Sequence, residues 1–170
     1  CNRILPDQLG LPQDVSLANP LFYKQLVHVL SAMQMDFNLF FDALTRLSQS
    51  TVDMTSQKSM SALLACSYLD SPDAQLLRNW LSLYQRLIDE SPLQSRTATM
   101  RGANPVFILR NHLVQDVIDA AEQGEYAPLQ AVFQRLKTPY AEAPDDALWV
   151  EKCPPESMRR AGCSMLSCSS

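Results

Sequence analysis

Along most of the chain, apolar residues recur at intervals of three and four, the spacing that lines up one face of a helix, and no segment shows the strict alternation of a strand. The fold class read from this pattern is all-α. Residues 1–18, with Leu5-Pro6 and Leu9-Gly10-Leu11-Pro12, read as an extended lead. Asn19-Pro20 then supplies an N-cap and a proline at the first helical position, and Leu26, Val29, Leu30 and Met33 share the face that follows. A second helix starts from Asp36, with Phe37, Phe40, Phe41, Leu44 and Leu47 as its stripe, and Ser48 to Thr55 is a polar loop. Met60, Leu63 and Leu64, with Tyr68 one turn on, mark a short third helix. Ser71-Pro72 repeats the cap-plus-proline start ahead of Leu76, Leu77, Trp80, Leu81, Tyr84, Leu87 and Ile88.

Ser91 to Gly102 is small and polar and reads as a connection, after which Asn104-Pro105 opens a helix carrying Ile108, Leu109, Leu113, Val117, Ile118 and Ala121. Gly124 stands where a left-handed helix cap belongs, and Leu129, Val132, Phe133 and Leu136 form a last short helix that Thr138-Pro139 ends. The organisation expected is thus a lead over 1–18, a helical domain over 19–140 and an irregular tail over 141–170, which Trp149 docks.

A chain of 170 residues, 46% hydrophobic, has enough material for one sizeable core. Its formal charge of -4 removes the usual attraction to phosphate backbones and anionic lipid, so neither nucleic acid nor membrane is an expected partner. No apolar run reaches the roughly 18 residues of a membrane span, and Cys1-Asn2-Arg3-Ile4 lacks the opening of a signal peptide. Cys1 fits an internal start in a longer chain better than a processed or lipidated terminus, because no flexible polar tether follows it. Five cysteines, Cys1, Cys66, Cys153, Cys163 and Cys168, are odd in number and irregularly spaced, which points to a reducing compartment: the cytoplasm, or the mitochondrion in a eukaryote.

Complete catalytic patterns are missing. Gly10, Gly102, Gly124 and Gly162 are too far apart to cradle a phosphate. Asp36-Phe37-Asn38 resembles a kinase magnesium motif only superficially, since Phe37 fits the helix stripe and no glycine loop accompanies it. His28 and His112 fall inside helices without a Ser or Cys partner at a diagnostic spacing. No Cys-x-x-Cys is present to suggest a metal site. Cys163 and Cys168 enclose four residues, so they can close in a disulfide, reach a distant thiol, or stand idle on an exposed tail. Cys66 reads as a small core residue.

The run Asn104-Pro105-Val106-Phe107-Ile108-Leu109-Arg110-Asn111-His112-Leu113, continuing through Ala120-Ala121-Glu122-Gln123-Gly124-Glu125-Tyr126 to Leu136 and Pro139-Tyr140, resembles a segment of the selenoprotein-O (SelO, also YdiU) family. Met35-Asp36-Phe37-Asn38-Leu39-Phe40-Phe41 resembles that family's Asp-Tyr-Thr helix, and Cys168-Ser169-Ser170 its closing Cys (or selenocysteine)-Ser-Ser. The sequence departs from the family pattern at Phe37-Asn38-Leu39 and in its additional Cys163.

This resemblance implies a kinase-like fold that transfers AMP from ATP, bound in flipped orientation with magnesium or manganese, to Ser, Thr or Tyr hydroxyls of protein substrates. It further implies that residues 20 to 170 are the carboxyl-terminal helical region, packing on a kinase-like domain that this chain does not contain. No catalytic, nucleotide-binding or metal-binding residue of the family maps onto a numbered position here; the redox thiol maps onto Cys168, with Cys163 as a candidate partner. Two other readings stand beside it. One is a stand-alone helical interaction module without catalysis, and the other a small thiol oxidoreductase using Cys163 and Cys168.

Overall fold

The computed structural model describes residues 4–12, 14–15, 19–49, 53–89, 92–142 and 152. Among them are eight named helices: α1 Ile4–Leu9, α2 Pro20–Ala32, α3 Phe37–Leu47, α4 Gln57–Leu64, α5 Ala74–Asp89, α6 Leu93–Ala103, α7 Asn111–Glu122 and α8 Ala127–Leu136. They carry no strand; the one extended pairing is an isolated antiparallel bridge between Met35 and Ser67. The all-α expectation holds. The helices fall into two compact units, Cys1–Asn104 and Pro105–Ser170.

In the first unit α5 is the central element, and its sequence explains why. Leu77, Trp80, Leu81, Tyr84 and Ile88 recur at three and four and are all buried, forming one continuous stripe. Helix α2 packs on it through Phe22, Leu26 and Val29. The Phe22 ring stacks on Trp80 at 5.2 Å, Trp80 stacks on Tyr84 at 5.3 Å, and Phe40 of α3 lies 5.9 Å from Trp80. Full burial of each such side chain stabilises by about 1.5–3 kcal/mol. Helix α4 lies against α3 and α5 with Met60 and Leu63 inside, and Cys66 just beyond it is buried in the same core.

Helix starts follow the polar residues at their ends. Asp36 accepts the Leu39 N–H at 3.1 Å, and Ser56 accepts the Ser59 N–H. At α5 the cap is Asp73 rather than the expected Ser71, because its carboxylate sits one residue before Ala74 and accepts the N–H groups of Gln75 and Leu76, each at 3.0 Å. Asn19 occupies the N-cap of α2 with Pro20 behind it, but its side chain turns back to donate to the Val15 carbonyl.

Three helices end in the same way. At α1, Leu11 N–H donates to Pro6 O and Gly10 N–H to Asp7 O. At α2, Met35 N–H donates to Leu30 O and Gln34 N–H to Ser31 O. At α7, Glu125 N–H donates to Ala120 O and Gly124 N–H to Ala121 O. This paired bonding needs a left-handed residue, supplied by Gly10 (φ +63°), Gln34 (φ +45°) and Gly124 (φ +82°). Gly124 has the role read from the sequence.

Four expectations need correction. The lead is not extended throughout, since Ile4–Leu9 is helical. Pro6 falls in its first turn, where an amide hydrogen is not needed, and Leu9 and Leu11 are buried against the core. The Ser91–Gly102 connection is largely helix α6, which packs on α1 and α3 although only Arg96 and Met100 are buried on it. Asn104 does not open a helix but closes α6, its N–H donating to Met100 O at 2.8 Å, and α7 starts only at Asn111, so Ile108 and Leu109 precede it. Phe37, assigned to the buried stripe of α3, is 43% exposed and leans on Phe41 at 4.6 Å between ring centroids.

The second unit is a helical hairpin. Helices α7 and α8 pack together around the Gly124 turn, with Leu113, Val117 and Val132 buried. Phe107 is tied to the far end of the hairpin by its N–H, which donates to Pro139 O at 3.0 Å, and the Arg135 guanidinium lies over its ring at 5.5 Å. Arg135 also donates to the carbonyls of Thr138 and Ala141, clamping the chain after α8.

Candidate functional site

The residues expected to carry chemistry are scattered. Cys163 and Cys168, together with Cys1, Cys153 and Trp149, lie outside the described residues. Cys66 is a core thiol 6% exposed, with its Sγ 3.5 Å from the Ala62 carbonyl oxygen. His28 is exposed on α2, whereas His112 is buried on α7. Burial chiefly, and then the Arg110 charge, hold the His112 imidazole below the ordinary histidine pKa, with Asp116 opposing. No three His, Cys, Asp or Glu side chains gather as a metal site among the described residues.

Asp36 of the kinase-like Asp-Phe-Asn stretch is fully engaged in structure. One carboxylate oxygen caps α3, and the other accepts the Tyr68 hydroxyl at 2.8 Å. Its own N–H donates to Cys66 O, Tyr68 N–H donates to Gln34 O, and Ser67 Oγ donates to Met33 O at 2.6 Å. These bonds lock the α2–α3 turn to the segment after α4. A carboxylate held at both oxygens in this way braces the two segments against each other.

A second polar cluster was not anticipated from the sequence. Tyr84 donates its hydroxyl hydrogen to Leu9 O at 2.9 Å, and Asn104 Nδ2 donates to Gln8 O and Thr45 Oγ1, each at 2.8 Å. Arg96, 7% exposed, donates through Nη1 to Ile88 O at 2.8 Å. Burial pushes the Tyr84 phenol up to about 12, against the pull of the Ser48 hydroxyl and the Arg96 charge. This seam fastens α1 to α3, α5 and α6, and it contains no nucleophile with a neighbouring base. Asn104 was legible only as a cap residue, since its partners are 59 and 96 positions away.

Between α2 and α5 runs a groove of about 380 Å³, with Leu21, Phe22, Leu83 and Leu87 as its apolar wall and Asn19, Gln25 and Arg86 as its polar edge. It offers one cation and no carboxylate. A nucleotide with a divalent metal takes one or two carboxylates beside its phosphates, and the lining of this groove supplies none.

Helix α8 exposes several large apolar side chains. Leu129, Phe133 and Leu136 are 45%, 57% and 40% exposed, while Val132 is the residue of this helix that is buried. The sequence pattern identified these residues, with Val132, as a last short helix, and that helix is present. Periodicity reports that a face exists and is silent about what covers it.

Comparison with known proteins places these features. The profile of the family described as protein adenylyltransferase SelO matches residues 2–137. A protein nucleotidyltransferase YdiU from Tolumonas auensis is 38% identical over 168 residues, covering 96% of this chain and 30% of that protein. Proteins of the same name from Azoarcus and from Xanthomonas axonopodis pv. citri are 38% and 36% identical, over 81% and 86% of this chain and 26% and 29% of their own lengths. The chain therefore spans somewhat under a third of the relatives it matches.

Proposed function

The chain belongs to the protein adenylyltransferase SelO family, and from that premise we propose that it is the carboxyl-terminal helical portion of an enzyme transferring AMP from ATP to Ser, Thr or Tyr hydroxyls of proteins. The portion supplies structure and regulation, and the reacting groups belong to a kinase-like domain elsewhere in the longer protein. ATP and magnesium or manganese are the cofactors of that domain, and protein substrates its partners. The compartment is a reducing one, the cytoplasm or, in a eukaryote, the mitochondrion. No helix among the described residues is long and apolar enough to cross a membrane.

The observation that carries this reading is the family match over 2–137 in a chain covering 30% of the Tolumonas protein. The described polar side chains brace helices to one another, which is the structural role this reading gives the portion. A composite protein tests it, in which this chain replaces its matching stretch in the Tolumonas protein. With labelled ATP and magnesium or manganese, the composite transfers AMP to protein and the 170-residue chain alone does not. The chain alone also shows no micromolar ATP affinity by calorimetry. An inactive composite, or transfer by the isolated chain, overturns the reading.

Regulation falls to Cys168. Its thiol and a second thiol, Cys163 or one in the longer protein, lose two electrons and two protons to a disulfide oxidant such as glutathione disulfide, forming one S–S bond. Transfer by the composite then differs between oxidised and reduced glutathione, and Cys168→Ser removes the difference. Equal redox sensitivity in Cys168→Ser refutes this part.

A further inference from the structure

Arg96, Met100 and Asn104 follow one another at intervals of four along α6 and its C-cap, and all three are buried in the seam that fastens α1. Four polar atoms in that seam have no hydrogen-bond partner among the described residues: Gln8 Oε1, Ser48 Oγ, Arg96 Nε and Asn104 Oδ1. Their residues are 7%, 0%, 7% and 4% exposed, so bulk solvent does not satisfy them. Buried polar atoms are bonded in the great majority of cases, and four exceptions in one seam call for a ligand.

The four atoms fall into two pairs. Arg96 and Ser48 stand at one end, where Thr97, next to Arg96, donates its hydroxyl to Ser48 O at 3.3 Å. Gln8 and Asn104 stand at the other, where Asn104 Nδ2 donates to Gln8 O at 2.8 Å.

We infer that the seam is an internal hydration site, with one water seated between Arg96 Nε and Ser48 Oγ and a second between Asn104 Oδ1 and Gln8 Oε1. Helix α1 is then held to its neighbours through water as well as through direct bonds.

Charge selects a neutral occupant. Arg96 forms no ion pair among the described residues, and a buried cation so placed invites an anion. Its Nη1, however, donates to Ile88 O at 2.8 Å in the last turn of α5, and Ser48 is the C-cap residue of α3. The C-terminal ends of two helices, each carrying partial negative charge, therefore converge on the guanidinium and offset it. A metal cation in the same seam meets the Arg96 charge.

Hydrogen-bonding capacity selects water. Asn104 Nδ2 gives its hydrogens to Gln8 O and to Thr45 Oγ1, and the Thr45 hydroxyl passes its own to Phe41 O. This fixes the amide, leaving Oδ1 as an acceptor alongside Gln8 Oε1. Two acceptors need a molecule with two hydrogens to give, which a halide lacks. At the other end the occupant must accept from Arg96 Nε–H and donate to Ser48 Oγ. Water does both, and internal waters make about three such bonds.

Rotating-frame Overhauser spectra of the full 170-residue chain test the inference. The Arg96 Hε proton and the Asn104 side-chain amide protons each give a dipolar cross-peak to water, opposite in sign to a peak from chemical exchange. Gln8→Leu abolishes the Asn104 peak and leaves the Arg96 peak. Absence of either peak in the unaltered chain overturns the inference, as does an Asn104 peak that survives Gln8→Leu. If that variant does not fold, crystals of the unaltered chain or of the composite described above decide. Ordered water beside Arg96 Nε and Asn104 Oδ1 supports the inference. Anomalous scattering at either place after growth in bromide or rubidium salts identifies an anion or a metal cation and overturns it, and so does the lack of any density there.

Discussion

Gly10 and Gly124 occupy the same position in the same helix-ending motif, yet they carry different constraints. Both hold positive φ, but a Cβ at Gly124 meets nothing within 4 Å, whereas one at Gly10 falls 2.4 Å from Arg96 Cγ and 2.8 Å from Met100 Cγ. Gly124→Ala therefore loses only the conformational term, about 1–2 kcal/mol. Gly10→Ala adds displacement of two side chains in a packed seam, and its loss exceeds that of Gly124→Ala by at least about 1 kcal/mol in urea unfolding. Tyr84→Phe is the companion test: the Leu9 carbonyl loses its buried donor, and stability falls by about 1–3 kcal/mol with no change in the helical circular dichroism.

Helix ends were read in part: Asp36 and Gly124 act as their residue types predict, whereas Asp73 replaces Ser71 at α5 and α7 starts at Asn111. Gln34 fills the left-handed position that glycine fills at α1 and α7, and it is exposed, so its side chain contributes no packing that glycine would forfeit. Gln34→Gly is expected to raise stability by about 0.5–1 kcal/mol, measured as a higher urea midpoint at constant slope. Asp73→Ala lowers it by about 1 kcal/mol through loss of two N–H acceptor contacts at the start of α5. Strongly amphipathic α3 and α5 were visible from spacing alone. Helix α6 was not, because Leu93–Ala103 buries only Arg96 and Met100, and its helical state is decided by α1 and α3 packing on it. Helix α1 was hidden by its prolines and glycine, which sit at its start and just past its end, where a helix accepts them.

Over the whole molecule, ionisation divides between the two units. His112 belongs to the second, and its folded pKa lies below 6.5 because burial and Arg110 disfavour the imidazolium. The unfolded chain then binds more protons than the folded one at mildly acid pH, so stability is full above about 6.5 and is lost as pH falls toward the depressed folded value. Thermal melts between pH 7.5 and 5 should show this loss, and His112→Gln should flatten it; an unchanged slope in the variant would assign the effect elsewhere. The candidate chemistry is also a whole-molecule matter. Its candidate thiols are Cys163 and Cys168, which spacing lets pair with each other or with a thiol elsewhere in the longer protein.

The sequence by itself determined the all-helical class, the existence of α2, α3 and α5 and, Phe37 apart, their inward faces, the cap at Gly124 and the core role of Cys66. Each of these follows from local periodicity or from the φ preference of a single residue. Membership of the family was legible from the run beginning at Asn104, although Asn104 proved to close one helix rather than open the next. Only the tertiary structure decided that Asp36 braces Tyr68, that Tyr84 and Asn104 fasten α1, and that the Leu129–Phe133–Leu136 side of α8 stays uncovered. Those outcomes depend on which distant segment arrives at a given face, and spacing along a chain carries no record of that.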